Sequence, residues 1–295
     1  MTHARAVVAM VAATLLWSMA GVVTRQLDSA SPFEATFWRS AFNALALVLL
    51  LGRLRGFAAL VTTLRSNDRT LWLSGLCWAV MFTAFMVAIT LTTVANVLVT
   101  MALAPLLTAL VARLVLGQRL PPRTWTAIVV AGAGIAWMYA HELALVDTRH
   151  LLGVVVALAV PIAAALNWTA IQKSRERSVD LLVAVLIGAT LSALLTLPLA
   201  LPLRASAHDI ALLALLGVAQ LAVPCLVAVA AARVLVAPEV ALLSLLEIVF
   251  GVTWTWLAGE APSKDVLIGG ALVLGALVGN ESVALRRRNR LASAT

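Results

Sequence analysis

The sequence predicts an all-α integral membrane protein of ten transmembrane helices, arranged as two inverted five-helix repeats with both termini cytoplasmic. Three observations carry that prediction. Of 295 residues, 63% are hydrophobic and only 12% charged, whereas soluble domains carry about a quarter charged residues. The apolar residues gather into ten runs long enough to cross a bilayer. The basic residues alternate between the ends of those runs.

A helix crossing about 30 Å of hydrocarbon needs roughly 20 apolar residues. The spans lie at 6–24, 33–52, 70–91, 94–116, 125–140, 151–171, 181–201, 210–232, 240–258 and 266–285. The first follows Arg5 like a signal peptide, but it is long and is followed by many similar runs, so it reads as a retained helix. The fifth and tenth are the shortest uninterrupted runs.

Lys and Arg collect on the cytoplasmic side of a membrane. With the N-terminus inside, 16 of the 21 basic residues lie in inner segments and four (Arg25, Arg149, Arg204 and Lys264) lie outside. Arg39 falls within the second span. A missed span would scramble this alternation. The net charge of +8 therefore reports orientation and not nucleic-acid binding, which would need a solvated basic stripe. Cys77 and Cys225 both fall inside apolar runs, so they are expected as buried, inert thiols without a disulfide or metal.

Internal repetition supports two halves. "LLWSMAGVVTRQL" (15–27) aligns with "LNWTAIQKSRERS" (166–178), pairing Trp17 with Trp168 and Ser18 with Thr169. "PLLTALVARLVLGQ" (105–118) aligns with "EIVFGVTWTWLAGE" (247–260). Five spans per half is an odd number, so the second half enters the membrane from the opposite side, an arrangement common in secondary transporters. The expected units are residues 6–140, residues 151–285 and a basic cytoplasmic tail, 286–295.

Trp17, the "SPFEATFWR" stretch with Arg39, "LAPLLTALVARLVLGQRL" and "LLEIVFGVTWTWLAGE" together resemble the drug/metabolite transporter superfamily, in its branch of EamA-type ten-helix exporters. That resemblance extends over nearly the whole chain. It implies two five-helix halves of opposite orientation and export of small metabolites, with amino acids as the first substrate class. The chain departs from the pattern that this resemblance implies for each half, a proline followed about a dozen residues later by Gly-Glu. The first half has Pro105 and Gly117 but Gln118, and the second has Gly259 and Glu260 but Ile248 after Glu247. A less kinked ninth helix is expected.

Charge inside the membrane is costly, at about 2.5 to 3.5 kcal/mol or more near the centre, so Arg39 and Glu247 demand explanation. At 1.5 Å per residue, Glu247 lies roughly 12 Å from the inner side and Arg39 about 9 Å from the outer side, so they pair only with both side chains extended. Glu247 is a candidate for proton exchange or for binding a substrate amine, against a structural hydrogen bond to a neighbouring helix. Arg39 is a structural or gating residue, or alternatively a carboxylate binder.

Trp78, Phe82 and Phe85 fall at i, i+4 and i+7 with Met81 beside them, forming either a packing stripe or a cavity wall. The repeat-related Trp17 and Trp168, with Ser18 and Asn167 next to them, are further cavity candidates, as are Met101 and Ser244. Pro105, Pro161 and Pro224 sit within spans, where each frees a backbone carbonyl and can kink the helix. "AGAG" (131–134) and "GGALVLGALVG" (269–279) put small residues where helices can approach closely, within a chain or between protomers.

Enzymatic motifs are missing. No HExxH helix or Gly-rich phosphate loop occurs, all four histidines (His3, His141, His150 and His208) lie outside the spans, and aspartates are expected only in loops. No cofactor, metal or nucleic-acid partner is expected. The expectation is a secondary exporter in a bacterial-type inner (plasma) membrane, moving neutral or aromatic amino acids by alternating access, with protons as a candidate coupling ion. Hydrophobic drugs or other metabolites are the alternative cargo, and a structural or regulatory membrane protein is the alternative class.

Overall fold

The computed structural model describes residues 1–66, 68–92, 94–138, 148–174, 180–257, 259 and 263–292. Every element among them is helical. The elements are α1 (His3–Trp17), α2 (Ala20–Thr24), α3 (Pro32–Arg55), α4 (Phe57–Arg65), α5 (Arg69–Leu91), α6 (Val94–Met101), α7 (Ala104–Leu116) and α8 (Pro122–Met138). They continue with α9 (Thr148–Lys173), α10 (Leu182–Ala200), α11 (Ala207–Leu215), a π-helical segment (Leu216–Ala222), α12 (Val223–Ala232), α13 (Ala237–Ser244), α14 (Leu246–Leu257) and α15 (Lys264–Ala292).

Eight stretches are long and apolar enough to cross a membrane, and they coincide with the first to fourth and sixth to ninth spans read from the sequence. Large apolar side chains such as Leu114, Leu194 and Leu195 stand exposed on the outside of the bundle. In water they would be a liability; facing acyl chains they are solvated. The chain is a multi-pass membrane protein. The stretches expected as the fifth and tenth spans fall on α8 and α15, which pack on one another and are not among the eight. The junction of the expected halves, 139–147, with His141, lies outside the described residues, as do Arg175, Arg177, Glu260 and the last three residues of the tail.

Local signals set the helix ends. Ser31 caps α3 by accepting from the Glu34 N–H, Pro32 occupies the first turn, and Arg53 and Arg55 fall in the last turn before Gly56 at φ 85°. The short α4, which no apolar span marks, follows at once. Asp68 caps α5 through the N–H groups of Thr70 and Leu71. Gly117, at φ 63°, ends α7 in the left-handed conformation that glycine takes without cost.

Three expected single helices are interrupted. The first span breaks at Ser18–Met19, the fourth at Ala102–Leu103 and the ninth at Leu245. The expectation of a straighter ninth helix gives way here: the Leu245 and Ile248 N–H groups reach carbonyls only three residues back, which tightens the turn next to Glu247. Pro105 and Pro224 open the helices that follow discontinuities and do not kink an uninterrupted one, whereas Pro161 lies inside the continuous α9. Pro224 has no N–H for the carbonyl of Gln220, four residues back. The helix before it widens, and the Val223 N–H reaches Val218, five residues back.

Glycines set the closest contacts. A Cβ at Gly217 would stand 2.7 Å from the Arg39 carbonyl oxygen and 2.9 Å from the Asn43 nitrogen, so the π segment lies against α3. Gly188 brings α10 onto α5, where a Cβ would meet Trp78 and the Ala79 nitrogen. On α8, a Cβ at Gly134 would come within 2.8 Å of the Gly269 carbonyl oxygen. The small residues of the fifth and tenth spans thus serve contact within the chain at this point.

Candidate functional site

A cavity of about 160 Å³ lies at the centre of the bundle. Its wall is built by the ends of α1 and α2 around the first break, α3, α5, α6 and α7 around the second, α9, the π segment, α12, and α13 and α14 around the third. Trp17, Trp78, Met81, Phe82, Phe85, Met101, Trp168, Ser244, Glu247 and Arg39 all line it, as does Pro161. Trp78 holds the aromatic wall together, with Phe82 5.4 Å from it in a tilted contact and Trp168 5.6 Å from it edge-on.

Ser18 and Asn167, expected beside those tryptophans, stand behind the wall. Neighbours along a helix point about 100° apart, so a residue next to a wall tryptophan faces elsewhere. Ser18 donates to the Leu15 carbonyl (2.7 Å) and accepts from Trp254 Nε1 (2.9 Å), which fastens the first break to α14. Asn167 is fully buried and accepts from Ser74 on α5 at 2.6 Å. Both are packing residues here.

Arg39 and Glu247 are the only charged side chains in the wall among the described residues. Each lies within range of the other's charge, but no ion pair within 4.0 Å joins them. Arg39 is 5% exposed, and its Nε is buried without a hydrogen-bond partner. Glu247 is half-buried at the cavity surface. It lies ten residues beyond the start of α13, hence about 15 Å along the helical path, near the middle of a 30 Å core.

Gln220 is the wall residue that the sequence reading missed. It sits in the π segment and donates through Nε2 to the Trp17 carbonyl (3.2 Å), capping the broken end of α1. A lone amide inside an apolar run, four residues before a proline, was the available signal. Cys225 also lines the cavity and, like Cys77, is a buried free thiol.

The two ends of the bundle are tied differently. At the end where α1 begins, His3 meets Glu239 of α13 at 2.6 Å, Gln172 accepts from the Ala237 N–H (2.6 Å), and its amide donates to Gln118 (3.1 Å). These bonds link α1, α9, α13 and the second residue after α7 beneath the cavity. In the expected repeat alignment Gln118 corresponds to Glu260.

At the other end, two buried carboxylates hold the loops. Glu34 accepts from the N–H groups of Arg204 and Ala205 at 2.8 to 3.0 Å. Asp209 takes N–H groups from Asp28, Ser29, Ala30 and Ser206 together with the Ser29 hydroxyl. The sequence places Asp209 in a loop, like every aspartate, but it stands in the first turn of α11, completing a capping box with Ser206. Among the described residues no group of three or more potential metal ligands forms.

The fold and the first half of the sequence both have counterparts. A solved crystal structure matches this chain with a TM-score of 0.79 at 21% identity, covering 94% of this chain and 97% of the other. No curated protein sequence matches. Residues 4–140 match the EamA-like transporter family. That family match covers the first part of the chain, which carries the cavity-lining Trp17 and Arg39, while the likeness to the solved structure shows that nearly the whole chain shares its fold.

Proposed function

We propose that this protein is a secondary exporter of amino acids, neutral and aromatic ones foremost, working by alternating access in a bacterial-type inner membrane. One observation supports the reading above the rest: a mid-bundle cavity whose wall is aromatic and aliphatic carries one guanidinium and one carboxylate with no ion pair between them. An α-amino acid has the matching pattern, with one charge of each sign and a side chain of variable shape. Aromatic and thioether groups such as Trp17, Trp78, Phe82 and Met81 adapt to varied apolar surfaces.

In this reading α8 and α15 complete ten spans as two inverted halves. The bonds among His3, Glu239, Gln172 and Gln118 close the N-terminal end in one state and release in the other. Glu247 exchanges a proton or holds the substrate amine, and Arg39 stands across from it. The breaks beside Trp17, Met101 and Ser244 supply bending points, since helices interrupted at a midplane site are a recurring device of transporters.

The test is counterflow of labelled amino acids in proteoliposomes, across a panel and with and without a pH gradient. Accelerated exchange of phenylalanine or leucine supports the reading. Exchange of hydrophobic cations alone would replace it with a drug exporter. No exchange of any solute would favour a structural or regulatory membrane protein.

A further inference from the structure

The buried guanidinium raises a question of charge that the wall itself does not answer. Arg39 enters the cavity from α3, 5% exposed, with Nε sealed in protein and unpartnered. A guanidinium carries five donors in a fixed planar fork. Left without an anion in an apolar setting, a charged group costs far more than it does in water. Glu247 offsets the charge only from a distance.

The backbone around Arg39 is closely packed. Its carbonyl oxygen and the nitrogen of Asn43 lie so close to Gly217 that even a Cβ there would press within 2.7 and 2.9 Å of them. The backbone of α3 at Arg39 therefore packs directly against the π segment. Asn43, one turn further on the same face of α3, is fully buried with both amide atoms unpartnered. Gln220 lines the same side of the cavity, its Oε1 also buried and unpartnered while Nε2 is committed to Trp17. Unsatisfied polar atoms thus gather along one seam, and the terminal nitrogens of Arg39 are the charged donors it offers.

We infer that Arg39 is the carboxylate-binding residue of the cavity, so that a carboxylate, more than an amine, is the obligatory feature of the transported molecule. This rests on the proposed transport reading and narrows it. A planar monoanion accepts two parallel N–H bonds from the fork. A dianion such as a phosphate ester would meet a single cation here and share the apolar cavity with the Glu247 carboxylate. A zwitterion leaves the charge of the filled cavity unchanged, which favours amino acids over simple acids without making the amine essential.

Three probes separate the parts: L-phenylalanine, 3-phenylpropionate, which lacks the amine, and L-phenylalaninamide, which lacks the carboxylate. Binding is read by quenching of the cavity tryptophans in purified protein, and transport by competition against labelled phenylalanine. A hydrogen-bonded charge pair is worth about 1.5 to 3 kcal/mol, hence roughly 10- to 150-fold in affinity. Phenylalaninamide is expected to bind about that much more weakly than phenylalanine, whereas 3-phenylpropionate keeps measurable binding. Arg39→Gln should weaken phenylalanine by the same factor and abolish its advantage over the amide, and Arg39→Lys should retain part of it.

Equal binding of amide and acid by the unaltered protein overturns the inference without any variant having to fold, and leaves the transport reading intact. Binding of 3-phenylpropionate without phenylalanine sinks the amino-acid reading while supporting the carboxylate site. Binding of none of the three overturns both.

Discussion

Asp209→Asn changes one oxygen to an amide and should cost the protein about 2 to 4 kcal/mol. Asp209 is fully buried, and its two oxygens divide five donors between them. Oδ1 accepts from the Asp28 N–H at 2.8 Å, and Oδ2 accepts from Ser29 N–H (3.0 Å), Ala30 N–H (3.0 Å), the Ser29 hydroxyl (2.8 Å) and Ser206 N–H (3.3 Å). Asparagine can keep only one of these oxygens, and the better choice keeps Oδ2. Its NH2 then faces the Asp28 N–H, donor against donor. The loss of a hydrogen bond to a charged acceptor is worth about 1.5 to 3 kcal/mol, and the orphaned N–H adds to it. The remaining bonds also weaken as their acceptor becomes neutral. Equilibrium unfolding in mixed SDS micelles measures the difference directly. A variant within about 0.5 kcal/mol of the parent would refute the view that this carboxylate ties the loop before α3 to the loop before α11.

Other perturbations address the cavity and its closure. Glu247→Gln keeps shape and removes the titrating group, so the pH profile of counterflow should flatten while expression holds; an unchanged profile in proteoliposomes removes proton exchange from its role. Gly188→Ala forces a methyl against Trp78 and the Ala79 nitrogen, and overpacking of this kind costs about 1 to 3 kcal/mol. Its unfolding free energy should fall and its tryptophan emission shift, and an unperturbed spectrum would show that α5 and α10 can separate freely. His3→Ala removes the contact with Glu239 beneath the cavity; release of about 1 kcal/mol corresponds to a roughly fivefold faster modification of Cys225 by a small thiol reagent in a Cys77→Ala background. An unaltered rate would mean that the tie does not govern entry.

What could be read from the residues follows the reach of periodicity. Trp78, Phe82 and Phe85 share a helical face by spacing alone, and the repeat alignment paired Trp17 with Trp168; all five line the cavity. Ser18 and Asn167 were drawn in by adjacency in sequence, which on a helix is a turn of about 100° away from a neighbour's direction. The three breaks left little trace, because the apolar runs continue through Ser18, Leu103 and Leu245 without a glycine at the interruption. The roles of Glu34 and Asp209 were out of reach for another reason. Their partners lie 170 to 181 residues away in the other half of the chain, so only the folded loops bring donors and carboxylates together.

The breaks also explain why so apolar a chain spends polar side chains inside the membrane. Each interruption exposes backbone groups that would otherwise bond along the helix, and in hydrocarbon an unsatisfied one is expensive. At the first break, Gln220 takes the Trp17 carbonyl and Trp254 takes the Ser18 hydroxyl. Those two partners come from the π segment and from α14, both discontinuous elements of the same wall. Satisfying one break thus requires a side chain from another. A shift of α14 relative to α1 would disturb the Trp254 bond, and a return of the π segment to α-helical register would withdraw Gln220 from Trp17. The irregular parts of the wall are therefore bonded to one another, and Glu247 lies two helical turns from Trp254, whose indole holds Ser18 next to Trp17.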